Sequence, residues 1–328
     1  MNCWIFNQYI NTPDMPGGSR HYELAKVLVR KGHRILLIGA NLKKQEKWYY
    51  YEQREGVSIL WFNIGKYYGK SVKRLMNMLY YTLLVFCVPY VATRTSQITR
   101  RPDVIIGSSV HLFGAYAAYI LSCFLKVPFV FEVRDLWPQT LIDMKALSDN
   151  SPLAKAMQFI EKQLFEKSVY IVSLLPFASD YICKRYNVDR DKVKWIPNGV
   201  NLDMFPEQDF PVSGFTISYL GAHGVANALE TIIDAADILN TEGVNDFTIQ
   251  FVGEGPLKES LIQKARMRKL HNIRFYGQVP KNQVYLIAKS TDVFIVNLKK
   301  LPLYKYGISL NKIYDAMAMA RPIIIACS

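Results

Sequence analysis

The sequence predicts an α/β protein built as two Rossmann-like, doubly wound domains facing a cleft. Short apolar runs alternate with helix-length segments, the alternation restarts past the middle of the chain, and glycine-bearing loops follow several of the runs. With 328 residues, half of them hydrophobic, the chain has enough apolar material for two cores.

The first elements form a βαβ unit. Asn2 to Gln8 reads as a strand, and a loop ending PGGSR leads into a helix with apolar Leu24, Val27 and Leu28; Gly32 then stops that helix before a strand at Ile35 to Ile38. Further strands are expected at Val104 to Ile106, Phe129 to Val133 and Tyr170 to Ser173, the pattern of a parallel sheet covered on both faces. A proline-rich, acidic segment from Asn201 to Gly214 separates the halves. Beyond it, Phe215 to Leu220, Phe247 to Val252, Ile273 to Tyr276, Val293 to Val296 and Ile323 to Ala326 read as the strands of a second sheet. The domains are accordingly placed at 1–203 and 204–328. No solenoid repeat or low-complexity tract interrupts them.

Forty basic residues against 27 acids give a formal charge of +13, which favours an anionic partner: nucleic acid, phospholipid headgroups or a phosphorylated substrate. Five scattered cysteines with no CxxC pair fit a reduced compartment without a disulfide framework or zinc site. The opening MNCWIFNQYI reads as a strand and not as a secretion signal, so a cytoplasmic protein is expected. The apolar run Leu79 to Ala92 is interrupted by Pro89 and is shorter than the roughly 20 residues of a membrane span. Between Ile64 and Asp103 lie Lys66, Lys70, Lys73, Arg74, Arg94, Arg100 and Arg101, and no acid. Basic residues around an apolar run suit the surface of an anionic membrane; a buried helix with solvated basic ends is the other reading. With that interleaving and no recognised binding module, nucleic acid is not the expected partner.

Several loops carry candidate chemistry. Gly17 and Gly18 precede a helix beginning near His21, so their amides and the helix dipole offer a seat for a phosphate; a tight strand-to-helix turn explains them equally well. Gly221 to Gly224 likewise joins a strand to a helix, and His223 within it has a hydrogen to donate, although a lone histidine in such a loop is more often structural. Gly253 and Gly255 lie in a third such loop, where turn geometry also accounts for glycine. His111 stands past the carboxyl end of a strand, where a satisfied buried histidine is the commoner case. Glu132, Arg134 and Asp135 end another strand, either facing the cleft or forming an Arg–carboxylate network. The Asn-Gly turn of IPNGVNLDMF is explained by turn chemistry, and Asp189-Arg190-Asp191 reads as solvated charge, so no essential metal is expected. A helix starting near Ser309 would present Asn311, Lys312 and Asp315 to the cleft.

The series GGSRHYELAKVLVRKGH, PDVIIGSSVH, FEVRDLWPQ, IPNGVNLDMF, GAHGVANALETIIDAA, FVGEGPLKESL, FYGQVPKNQV and GISLNKIYDAMAMARPIII, in that order and spacing, resembles the retaining family 4 glycosyltransferases of GT-B fold that assemble bacterial surface polysaccharides. The likeness is strongest to those acting on amino sugars and covers most of the chain.

The resemblance implies a UDP-sugar donor, a lipid-linked acceptor and no cofactor. It places His111 near the transferred sugar, the loop with Gly253 and Gly255 near the base, and Asp315 on the ribose hydroxyls, here Asp where the family has Glu. Arg20, Gly18, Gly221, His223, Gly224, Ser309, Asn311 and Lys312 are expected around the diphosphate, with Lys312 neutralising the leaving group. Where the family often has an earlier acid, this chain has Gly307, so carboxylate contact with the donor sugar is not expected. The family also continues with a further strand and helices, which makes an incomplete second domain the expectation here. A nucleotide-sugar epimerase and an inactive nucleotide-sugar-binding protein are the alternative readings.

Overall fold

The computed structural model describes residues 1–41, 46–65, 71–205 and 214–327, with only the backbone of Ser71, Val72 and Arg74. Two compact units emerge. The first comprises Met1–Ile10, His21–Pro197 and Leu303–Ile308; the second comprises Asn11–Arg20, Asn198–Pro302 and Ser309–Ser328. A single cut between 203 and 204 therefore describes the chain less well than a break at Pro197 with two short excursions. Most of the Asn201 to Gly214 segment lies outside the described residues.

In the first unit the strands are β1 (Asn2–Phe6), β2 (Arg34–Asn41), β3 (Tyr49–Arg54), β4 (Val57–Asn63), β5 (Val104–Ser108), β6 (Phe129–Val133), β7 (Tyr170–Ser173) and β8 (Val193–Trp195). They form one sheet in the order β3-β4-β2-β1-β5-β6-β7-β8, parallel except for β3. The helices are α1 (Arg20–Arg30), α2 (Ser71–Leu84), α3 (Val88–Arg94), α4 (Leu112–Leu125), α5 (Gln139–Asp143), α6 (Pro152–Lys167) and α7 (Ala178–Arg185). Every strand anticipated from apolar runs is present. The β3–β4 hairpin and β8 were not anticipated, because β3 reads YYYEQR and β8 reads VKW, edge strands with polar or solvent-facing residues that break the apolar signal.

Core packing in this unit runs from Trp4, Phe6 and Leu36 on the strands to Leu112, Leu121 and Phe165 on the helices. A buried polar chain crosses it. The Tyr9 amide donates to Asn7 Oδ1 at 2.9 Å, which turns Asn7 Nδ2 toward His21 Nδ1 at 3.0 Å, and His21 Nε2 lies 2.6 Å from Glu132 Oε2. Since Asn7 Nδ2 is a donor, His21 Nδ1 accepts and the ring hydrogen on Nε2 points at Glu132. Glu132 is thus held by a histidine, a partner that the sequence did not suggest. Replacing Glu132 by Ala leaves the His21 ring hydrogen buried without its acceptor, and urea unfolding should show a loss of about 1–3 kcal/mol.

The strands of the second unit are β9 (Phe215–Leu220), β10 (Phe247–Val252), β11 (Ile273–Tyr276), β12 (Val293–Asn297) and β13 (Ile323–Ala326), all parallel in the order β11-β10-β9-β12-β13. The accompanying helices are α8 (Glu230–Thr241), α9 (Lys258–Met267), α10 (Val284–Lys289) and α11 (Asn311–Ala318). Its two faces are closed by separate clusters, one around Tyr219, Ile233 and Phe251, the other around Val252, Phe294 and Ala316. In each sheet the strand order reverses at one point, between β1 and β5 and between β9 and β12, where the carboxyl ends of doubly wound sheets leave a crevice for ligands.

Candidate functional site

The reversal between β9 and β12 opens a cavity of about 450 Å3 in the second unit, lined by residues from five separate stretches of chain. Three glycine turns supply one wall. After β9 the chain turns at Gly221 and after β10 at Gly253, and the two turns are zipped together: the Gly221 amide donates to the Val252 carbonyl at 3.0 Å, and the His223 amide donates to the Glu254 carbonyl at 2.9 Å. Gly253 has φ +152°, and a Cβ there would lie 1.9 Å from the Gly221 carbonyl oxygen, so only glycine permits this approach.

The third turn comes from the Asn11–Arg20 excursion. Backbone amides of Lys281 and Asn282 donate to the carbonyls of Met15 and Pro13 at 3.0 and 2.9 Å, which fixes this loop against the turn before α10. Gly18 is thereby brought against the Asn311 side chain, 2.2 Å from where a Cβ would stand, and Gly17 and Gly18 both line the cavity.

Helix α11 provides the opposite wall. It begins at Asn311, two residues later than anticipated, and offers Asn311, Lys312 and Asp315 to the cavity from its first two turns, as helical spacing requires. The Lys312 ammonium sits 4.0 Å from the centroid of the Tyr219 ring, and burial pushes its amine down to about 7. Asp315 is buried and ion-paired with buried Lys281. Burial raises its carboxyl above the usual aspartate range, and Lys281 partly opposes that shift. Lys281, itself a cavity residue, was missed from sequence. Its only signal was a basic residue in FYGQVPKNQV, and nothing local distinguishes it from a surface lysine.

Several expected site residues stand elsewhere. The His223 side chain is fully buried among Tyr219, Phe251 and Phe275, and neither ring nitrogen has a hydrogen-bond partner among the described residues. Burial lowers its pKa, which favours the neutral ring. The expected donation by its side chain is thus corrected: the ring supports the β9 turn from below. Ser309 is also corrected, because its hydroxyl accepts from the Asn198 amide at 2.9 Å and its carbonyl accepts from Asn198 Nδ2. This contact ties the IPNGV turn to the lead-in of α11, a role for Asn198 that turn chemistry alone did not suggest. Gly224, Gly255 and Arg20 do not line the cavity; Arg20 is buried at the first residue of α1.

His111 belongs to the first unit. It caps α4, accepting the Gly114 amide at Nδ1 over 3.1 Å, so its ring hydrogen is on Nε2, and it meets Tyr81 edge-on. It thus lies at the reversal point of the first sheet, past β5. Asp189 caps a short turn by accepting the Asp191 amide at 3.0 Å, and Arg190 pairs with Asp180.

Chemically, the cavity offers backbone amides at glycine turns, the amino end of a helix, an ammonium and a buried carboxylate. Those are the groups that hold a diphosphate and a pair of hydroxyls.

Comparison with known proteins gives the family and the fold. The family described as Glycosyltransferase Family 4 matches residues 17–204, and that described as Glycosyl transferases group 1 matches residues 214–327. WcaI of Escherichia coli K12, whose name assigns it to colanic acid biosynthesis as a glycosyl transferase, is 24% identical over 313 residues, covering 88% of this chain and 75% of its own. Among solved structures, the sucrose-phosphate synthase of Thermosynechococcus elongatus superposes with a TM-score of 0.75 at 14% identity, over 99% of this chain and 80% of that one. Anabaena Alr3699/HepE, solved in complex with UDP, gives 0.63 at 13% identity, over the same shares. The structural likenesses show a GT-B fold of two Rossmann-like domains.

Proposed function

Because the chain belongs to the family 4 glycosyltransferases, working in surface polysaccharide synthesis, we propose that it moves an N-acetylated amino sugar from a UDP donor onto a lipid-linked acceptor. In this reading the reaction retains the anomeric configuration and takes place at the cytoplasmic face of the cell membrane. The single observation that carries the donor assignment is the cavity of the second unit, where Lys312, Asp315 and three glycine turns converge.

Transfer breaks a glycosyl–phosphate bond, building oxocarbenium-like charge on the sugar and negative charge on the departing diphosphate. Lys312 and the amides near Gly18, Gly221 and the start of α11 stabilise that departing charge. This supply of positive charge supports transfer without an essential metal. Asp315 accepts from the ribose hydroxyls, and Lys281 holds its carboxylate in place. His111, with its hydrogen on Nε2, is the group we propose for the transferred sugar. The UDP carried by HepE in its solved structure supports the choice of nucleotide.

Calorimetric titration of the purified chain with UDP tests the donor site. Wild type should bind, and Asp315→Asn, which keeps the shape but weakens acceptance from the ribose, should bind about tenfold more weakly. Folded wild-type protein that fails to bind UDP, or an Asp315→Asn variant that binds it equally, would sink the assignment.

A further inference from the structure

Among the described residues, the longest apolar helical run is in the first unit. From Leu75 to Arg94 the helical run is twenty residues long, and an 18-residue window within it has a mean hydropathy of 1.6, a longer apolar stretch than the expected Leu79 to Ala92. Its segments α2 and α3, with one 3-10 turn between them, divide into two faces. Tyr81, Leu84, Val85, Val88, Val91 and Ala92 face inward and are part of the core, and the Tyr81 hydroxyl donates to the Ile38 carbonyl of β2 at 2.8 Å. A helix committed to the sheet in this way cannot also cross a bilayer without withdrawing six residues from that core.

The outward face carries no ordinary solvated surface. Met76, Leu79, Tyr80, Leu83, Phe86 and Tyr90 are exposed along it at three- and four-residue intervals, with Leu83 at 66%. A surface helix normally turns charge toward water, and a contiguous apolar stripe on an exposed helix marks an interaction site. The charges present beside it are all of one sign. Lys73 precedes the stripe, Arg94 ends α3 with its guanidinium 5.2 Å from the Tyr90 ring, and Arg100 and Arg101 follow, all of them exposed. No acidic residue occurs between Ile64 and Asp103. Lys66 and Lys70 lie outside the described residues, as does the side chain of Arg74.

We propose that the outward face of α2 and α3 docks on an anionic lipid bilayer, its apolar stripe entering the headgroup–acyl boundary while Lys73, Arg94, Arg100 and Arg101 engage the headgroups. Exposed tyrosines fit that boundary, since each has an apolar body and a polar tip. Positive charge without acid beside an apolar stripe is complementary to phosphatidylglycerol-type surfaces. The proposal rests on the lipid-linked acceptor of the preceding reading only for its purpose; the surface itself is independent of the donor site.

Flotation of the full chain with phosphatidylglycerol-containing and with pure phosphatidylcholine vesicles tests it. Wild type should float with the anionic vesicles and weaken with salt. The double variant Leu79→Glu/Leu83→Glu, at two exposed positions that leave the core untouched, should fall to the level seen with phosphatidylcholine. Arg94→Glu should weaken binding about fivefold or more. UDP titration on the same variants should be unchanged, which separates failure of docking from failure of the donor site. Wild type that ignores anionic vesicles, a double variant that floats equally well, or a wild-type dimer in sedimentation that Leu83→Glu dissolves would overturn the proposal, the last in favour of a second copy on this face.

Discussion

Replacing Lys312 by Ala should weaken UDP binding by about 10- to 100-fold, the worth of a charge-assisted contact to phosphate in a partly dry site. The ammonium already sits on the Tyr219 ring and is poorly hydrated, so little is lost in bringing it to the ligand. The same burial holds its free pKa at about 7, and this gives the contact a pH signature. A bound diphosphate favours the charged amine and raises that pKa. Between the free and bound values, binding therefore takes up a proton, and affinity falls as pH rises above about 7, by at most about tenfold per unit. The terminal phosphate of UDP titrates near 6, so measurements from pH 7.5 upward isolate the lysine. Titrations in buffers of different ionisation enthalpy should report proton uptake by wild type and none by Lys312→Ala. Equal proton uptake by both would assign the titration to another group and remove Lys312 from the diphosphate.

Gly253→Ala should cost roughly 3 kcal/mol or more of stability in urea unfolding. Two independent penalties combine there. Alanine at a positive φ is strained by about 1–3 kcal/mol, and the added Cβ meets the Gly221 carbonyl oxygen at 1.9 Å, a backbone atom that no rotamer change can move aside. Relief requires the β9 and β10 turns to separate, breaking the hydrogen bonds from Gly221 to Val252 and from His223 to Glu254. Since those turns are one wall of the cavity, UDP affinity should fall with stability. A variant within 1 kcal/mol of wild type that still binds UDP would show that the turns are free to move apart.

The location of the site was legible because its groups carry local signals. A glycine after a strand and before a helix is readable from neighbours in sequence, and so is the spacing that puts Lys312 and Asp315 one turn apart on α11. The strands β9, β10, β11 and β13 were readable to the residue because each is a short run dominated by apolar, aromatic or β-branched residues, and this held for β11 and β13 although they lie at the sheet edges with exposed positions. The edge strands β3 and β8 were not, since YYYEQR and VKW carry charged or polar residues that break such a run.

What the chain wrote by itself, then, was its two-sheet α/β class, the glycine turns and the helix that carries a lysine and an aspartate. Tertiary structure alone decided which of these groups meet and which side chains are withdrawn. Lys281 reaches Asp315 across 34 residues, Asn198 takes the Ser309 hydroxyl across 111, and His21 takes Glu132 across another 111. The His223 ring is hidden under the turn that was expected to display it. Periodicity and turn chemistry act over a few residues, whereas ion pairing and burial depend on distances in space that exist only once the sheet has closed.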